Sequence, residues 1–242
     1  MGFKTAEDII KGIKEHNWIA LSKAITIIEN GTDFNKKQQI LNYAYKNSRE
    51  DSFILGITGS GGAGKSTLID GLINYFAKKN KRVGVIAVDP SSSFSGGAVL
   101  GDRIRMTGKK MNKDLFIRSF ASRGNLGGIS QAAKEALYLY KFFGFDVIIV
   151  ESYGVGQAET DIRDFVDVSV VVMVPGNGDY IQLAKAGIQE IADVFVINKA
   201  DNKEADLLYS SLLSVIEIIP QEERPQIIKT IARDGKGINE LG

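Results

Sequence analysis

The chain has no cysteine and a single histidine, His16. A disulfide framework and a thiolate metal site are therefore excluded, and one imidazole cannot build a histidine cluster. The lack of cysteine fits a reducing compartment. Charge of one sign is also missing: 30 basic residues against 29 acidic give a formal net charge of +1. No global field draws such a chain to nucleic acid or to an acidic membrane surface, so any partner must be recognised locally. The longest apolar runs, such as Val168–Val174, are strand-sized rather than the roughly 20 residues of a membrane span. The opening MGFKTAEDIIKGIKEH is polar, without a signal-peptide core. The expectation is a cytoplasmic protein whose partners include neither nucleic acid nor membrane. Proline is scarce, at four residues, whereas 26 glycines gather in a few clusters, and clustered glycine brings backbone close to something. What remains is an ordinary globular chain of 242 residues, 44% hydrophobic and 24% charged, long enough for one large α/β domain with a full core.

Residues 1–51 read as a helical extension. Thr5-Ala-Glu-Asp8 resembles a capping box with Asp in place of Glu, and Ile9, Ile10 and Ile13 follow at helical spacing. Asn17 can cap a second helix from Trp18 to about Glu29 that stops at Asn30-Gly31, and Ile40, Leu41 and Tyr45 suggest a third. Trp18 reads as a packing anchor and His16 as a surface side chain. From residue 52 to 242 strands alternate with helices. The strands expected are Phe53–Thr58, Arg82–Asp89, Leu115–Ser119, Phe145–Glu151, Val168–Val174, Val194–Asn198 and Gln226–Ala232. The helices are Ser66–Lys79, Ile129–Phe143, Tyr180–Ile191 and Glu204–Ile218. Strands as apolar as Val147-Ile-Ile-Val150 belong to a parallel sheet covered on both faces. The fold class is α/β, a doubly wound, mostly parallel sheet.

The segment Gly59-Ser60-Gly61-Gly62-Ala63-Gly64-Lys65-Ser66-Thr67 fits GxxxxGK[ST], follows a strand and opens a helix, which is the context a phosphate-binding loop requires. Its glycines let successive N–H groups turn around a β-phosphate while the helix N-terminus adds partial positive charge. Lys65 would reach the β and γ oxygens, and the Ser66 hydroxyl can ligate Mg²⁺. Late in the domain, Asn198-Lys199-Ala200-Asp201 follows another strand and resembles the base-reading motif of GTP-binding proteins. The two oxygens of the Asp201 carboxylate match the ring N–H and exocyclic amine along one edge of guanine, and adenine offers no such donor pair. Asp89 and Glu151 end apolar strands, whose carboxyl ends face the ligand crevice of an open sheet. They can hold Mg²⁺ directly, hold it through water, or align the attacking water, and the sequence leaves the three open. Three further glycine-rich loops, over 89–105, 123–128 and 154–157, are switch candidates.

DPSSSFSGGAVLGDRIRM, FIRSFASRGNLGG, FDVIIVESYGVGQAE, PGNGD and KAGIQEIADVFVINKAD together resemble the MeaB/ArgK/MMAA family of P-loop GTPases, over about Trp18 to Asp201. The resemblance implies a GTPase, with GTP, GDP and Mg²⁺ as ligands, that acts as a chaperone gating cobalamin loading and protection of an adenosylcobalamin-dependent acyl-CoA mutase, methylmalonyl-CoA mutase being the usual client. By position it implies that Asp89, Asp102 and Glu151 form the metal and water shell, and that Asn198, Lys199 and Asp201 hold guanine. Lys185, in a switch loop over 175–187, would stabilise transferred charge once the partner is bound. Thr230 and Ala232 fall where the family makes backbone contacts to the base. The family commonly has Thr and an apolar residue at Ser152 and Tyr153, and Ser at Ile231. It also continues into C-terminal helices that form a homodimer arm, which Gly237–Gly242 barely begins, so the arm is expected to be missing here. No arginine finger is evident in cis, which implies slow intrinsic turnover.

Two other readings remain. Some relatives carry an older description as kinases or ATPases of lysine/arginine/ornithine transport, but nothing here resembles a protein-kinase catalytic loop. Nickel-insertion GTPases usually rely on Cys and His sites, which this chain lacks.

Overall fold

The computed structural model describes residues 3–31, 33–89, 114–121, 130–152, 162–176 and 192–242. The expected helix over 180–191 and the loop residues Asp102 and Lys185 lie outside the described residues.

Three helices open the chain: α1 (Ala6–Lys14), α2 (Trp18–Asn30) and α3 (Phe34–Lys46). The capping box forms as the sequence suggests, since Thr5 Oγ1 accepts from the Asp8 N–H and Asp8 Oδ2 accepts from the Thr5 N–H, both at 3.1 Å. The backbone N–H groups of Thr5 and Lys4, both donating to Asp8 Oδ2, hold the Asp8 carboxyl below its ordinary value. Asn17 Oδ1 caps α2 through the N–H groups of Ile19 and Ala20, and Gly31 ends it with φ 62°.

Seven strands follow: β1 (Phe53–Gly59), β2 (Val83–Asp89), β3 (Leu115–Ala121), β4 (Val147–Glu151), β5 (Val168–Met173), β6 (Val194–Ile197) and β7 (Gln226–Lys229). They form one parallel sheet in the order β3-β2-β4-β1-β5-β6-β7. Between strands lie α4 (Lys65–Lys78), α5 (Gln131–Phe143) and α6 (Ala205–Ile216), and a short α7 (Ile238–Leu241) follows β7.

Alternation along the strands divides the core. Leu55, Ile57, Val85, Ile149 and Val172 pack on one face against Leu68, Ile69 and Leu72 of α4 and Ile238 of α7. On the other face Ile54, Ile86, Ile148 and Val150 meet α5, and Val171, Phe195 and Ile197 meet α6. The opening helices share that second core, because Ile9, Ile13, Leu21, Ile25 and Ile40 pack into the same cluster as Tyr140, Phe143 and Phe145. Trp18 stacks on Phe116 with centroids 5.7 Å apart and lies 4.6 Å from Phe143, so it is the packing anchor the sequence suggests.

The last strand is shorter than its sequence pattern. The ladder ends at Lys229, and the Ala232–Asp234 turn begins soon after because Ile231 exchanges hydrogen bonds with Lys236 instead of a strand. Likewise α6 stops at Ile216, ahead of Pro220.

Candidate nucleotide site

The β1–α4 connection turns at the carboxyl end of the sheet. Gly59 has φ 140°, and a Cβ there would lie 2.2 Å from the Val172 carbonyl oxygen, so only glycine permits this exit from the strand. Lys65 is the first residue of α4 and only 4% exposed, and its Nζ donates to the carbonyls of Gly59 (2.7 Å) and Ser60 (3.0 Å). Burial pushes this ammonium below the ordinary lysine value, and the negative charge of Glu151 opposes that shift. The next residue, Ser66, donates its hydroxyl to Glu151 Oε1 at 3.4 Å. One corner thus joins the lysine, a hydroxyl and a buried carboxylate. Among the described residues, a Cβ on Gly61 or Gly62 would meet nothing within 4 Å. Thr67 is exposed one residue further along α4.

The Asn198-Lys199-Ala200-Asp201 loop leaves β6 beside this one, and Asn198 joins the two. Its Nδ2 donates to the Ala63 carbonyl at 2.9 Å, while its Oδ1 accepts from Thr230 Oγ1 (3.0 Å) and the Ala232 N–H (3.1 Å). This reach explains Gly64, whose φ is 89° and where a Cβ would stand 2.4 Å from Asn198 Nδ2. Lys199 takes φ 56° and donates its Nζ to the Gly62 carbonyl at 2.9 Å. Asp201 points outward, 48% exposed, with Arg233 Nη2 at 3.5 Å from its Oδ2.

The structure therefore brings Gly59, Ser60, Gly61, Gly62, Ala63, Gly64, Lys65, Ser66 and Thr67 into one loop with Glu151, tied to Asn198, Lys199, Thr230 and Ala232. Asp89 closes β2 at the same end of the sheet, two strands from β1, and its side chain lies outside the described residues, as do Asp102 and Lys185. The donor set at Ser66 and Glu151 is all oxygen, which suits a hard cation such as Mg²⁺. Among the described residues no group of three or more acidic or histidine side chains marks a metal site by itself.

One residue of this region escapes the sequence reading. Arg233 carries no motif signal in the sequence, and the turn after β7 sets it beside Asp201. Among the described residues, Thr58 on β1 and Ser152 just after β4 have buried hydroxyls with no hydrogen-bond partner. Both turn to the sheet face opposite α4. A buried hydroxyl without a partner loses its hydration for nothing. Thr58→Val and Ser152→Ala are each expected to raise the melting temperature of the nucleotide-free protein by about 2–4 °C, near 1 kcal/mol. A drop in thermal denaturation followed by circular dichroism would show that the hydroxyl has a partner.

A phosphate loop with its lysine at the head of a parallel sheet, fastened to an NKxD loop, defines a P-loop GTPase. The family model described as methylmalonyl Co-A mutase-associated GTPase MeaB matches residues 21–242. This chain belongs to the MeaB family of GTPases, and so binds guanine nucleotide.

Its curated relatives include PH0274 of Pyrococcus horikoshii, 45% identical over 240 residues that make up 97% of this chain and 75% of the relative. GTPase ArgK of Escherichia coli is 35% identical over 245 residues, 98% of this chain and 74% of ArgK. The mouse methylmalonic aciduria type A homolog, mitochondrial, is 35% identical over 95% of this chain and 60% of its own length. Among solved structures, a LAO/AO transport system kinase superposes with a TM-score of 0.77 at 26% identity, covering all of this chain and 74% of that one.

Proposed function

We propose that this GTPase is a chaperone that uses GTP binding and hydrolysis to gate cobalamin loading and protection of an adenosylcobalamin-dependent acyl-CoA mutase. The observation that carries the partner is the family match over residues 21–242, whose description names the mutase association. The likeness to the methylmalonic aciduria type A homolog supports it.

For the chemistry, the site residues take roles that their positions suit. The Lys65 ammonium exchanges its two carbonyl partners for β- and γ-phosphate oxygens, as the loop's N–H groups close on the β-phosphate. Ser66 and Glu151, together with Asp89 and Asp102, would hold Mg²⁺, which would supply charge neutralisation to the phosphates. Asp201 accepts the paired donors of guanine, and Asn198 and Lys199 hold that loop against the phosphate loop. Thr230 and Ala232 fix Asn198 from behind. Lys185 is the residue assigned to the transferred charge when the client is engaged. Water attacks the γ-phosphorus as its bond to the bridging oxygen breaks, giving GDP and phosphate.

Within the chain as a whole we assign residues 1–51 to a helical extension and 52–242 to the GTPase domain. Among the described residues no helix is long and apolar enough to cross a membrane.

The reading is tested by incubating the protein with methylmalonyl-CoA mutase and a non-hydrolysable GTP analogue. Co-elution of a complex that changes on exchange for GDP is expected, together with transfer of adenosylcobalamin to the apo-mutase that depends on GTP. Absence of any complex with either nucleotide would sink it.

A further inference from the structure

The Asp201 carboxylate has a neighbour that the motif does not specify. Arg233 lies in the Ala232–Asp234 turn after β7, and the Ala232 N–H bond to Asn198 Oδ1 holds that turn against the base-reading loop. Its guanidinium is gripped in two places by Asp234, Nε to Oδ1 at 2.9 Å and Nη2 to Oδ2 at 3.3 Å. The same Nη2 stands 3.5 Å from Asp201 Oδ2. Arg233 itself is 74% exposed, so the guanidinium is placed by its two carboxylate neighbours rather than by burial.

We propose that Arg233 is a specificity-determining residue of this site, the counter-charge that keeps the Asp201 carboxylate an effective acceptor when guanine covers it. The proposal rests on the reading of Asp201 as the guanine acceptor. In the free protein water solvates this half-exposed carboxylate. A seated base displaces that water and offers two neutral donors in exchange, so a neighbouring positive charge adds to the stabilisation of the anion in its drier surroundings. A carboxylate has about four lone-pair positions. The base edge uses two, which leaves acceptor positions for the guanidinium whose Nη2 stands 3.5 Å from Oδ2. Asp234 holds Arg233 in that place, so little side-chain freedom is lost on binding. Adenine has no donor pair for Asp201, so it has nothing to gain from a strengthened acceptor.

The experiment is a calorimetric titration of the full chain with Mg·GDP and Mg·ADP, comparing the wild type with Arg233→Ala and Arg233→Lys, alongside steady-state GTP hydrolysis. Arg233→Ala is expected to weaken GDP about three- to fivefold, the reach of an exposed ion pair. ADP affinity stays unchanged, and KM for GTP rises with kcat held. Arg233→Lys recovers part of the loss, and the gap between wild type and Arg233→Ala narrows in about 0.5 M salt, where exposed charges are screened. An equal loss for GDP and ADP would assign the side chain to the fold of the turn and overturn the proposal, as would unchanged or tighter GDP binding. Failure of the underlying reading looks different: the wild type would then bind GDP and ADP alike, and Asp201→Asn would leave GDP affinity untouched.

Discussion

Lys65→Ala is expected to lower single-turnover GTP hydrolysis by about a hundredfold or more, the usual consequence of removing one well-placed charge-stabilising donor. The ammonium is held at the mouth of α4 by the Gly59 and Ser60 carbonyls, almost wholly out of water. In so dry a place a cation acts on a phosphate far more strongly than it could at the surface. The same burial makes the group uncomfortable in the free protein, which is why its proton is held less firmly than that of an ordinary lysine. The substitution is expected to collapse hydrolysis, and the melting temperature of the nucleotide-free protein followed beside it shows whether the fold is kept. Stopped single-turnover assays with excess protein, run beside thermal denaturation, measure both. Hydrolysis within threefold of the wild type would remove Lys65 from the reaction.

Asp201→Asn is expected to cost about a hundredfold in GDP affinity, two charge-assisted hydrogen bonds at about 1.5 kcal/mol each, and to create affinity for xanthosine diphosphate. The carboxylate accepts twice, whereas an amide accepts once and donates once. Guanine presents two donors to that edge. Xanthine carries a carbonyl in place of the exocyclic amine, so it presents one donor and one acceptor and matches the amide. Asp201 is half exposed and its protein partner is Arg233, so the exchange leaves the core intact. Titrations with the two diphosphates read the switch directly. Guanine affinity that survives the substitution would place the base elsewhere.

What the sequence discloses depends on how far apart the cooperating residues lie. The phosphate loop is legible because strand, turn and helix are contiguous from Phe53 to Lys78, so spacing alone carries its geometry. The parallel sheet is legible because its strands are apolar on both faces. The bond from Asn198 to Ala63 spans 135 positions and the one from Thr230 to Asn198 spans 32, and no local pattern announces either. Arg233 is hidden for the same reason: in the string it is one charge in a polar turn, and only the meeting of the β6 and β7 ends sets it beside Asp201. The opening helices were readable one at a time from their caps. Their common core with Phe143 and Phe145 was not, since amphipathic spacing says that a face is buried and not what buries it. Strand ends are blurred in the sequence where apolar residues continue past the last ladder bond, as at Ile231.

A single side-chain amide, that of Asn198, grips the cradle for one end of the ligand with its nitrogen and the wall for the other end with its oxygen. The two ends are consequently not read by separate instruments. On the site assignment proposed above, whatever steadies the purine half is expected also to steady the loop that takes the phosphates, and by reciprocity a tug on that loop to loosen the hold on the purine. A protein that grasped the phosphate side of this enzyme from outside could thus hasten the departure of spent nucleotide without ever touching the base.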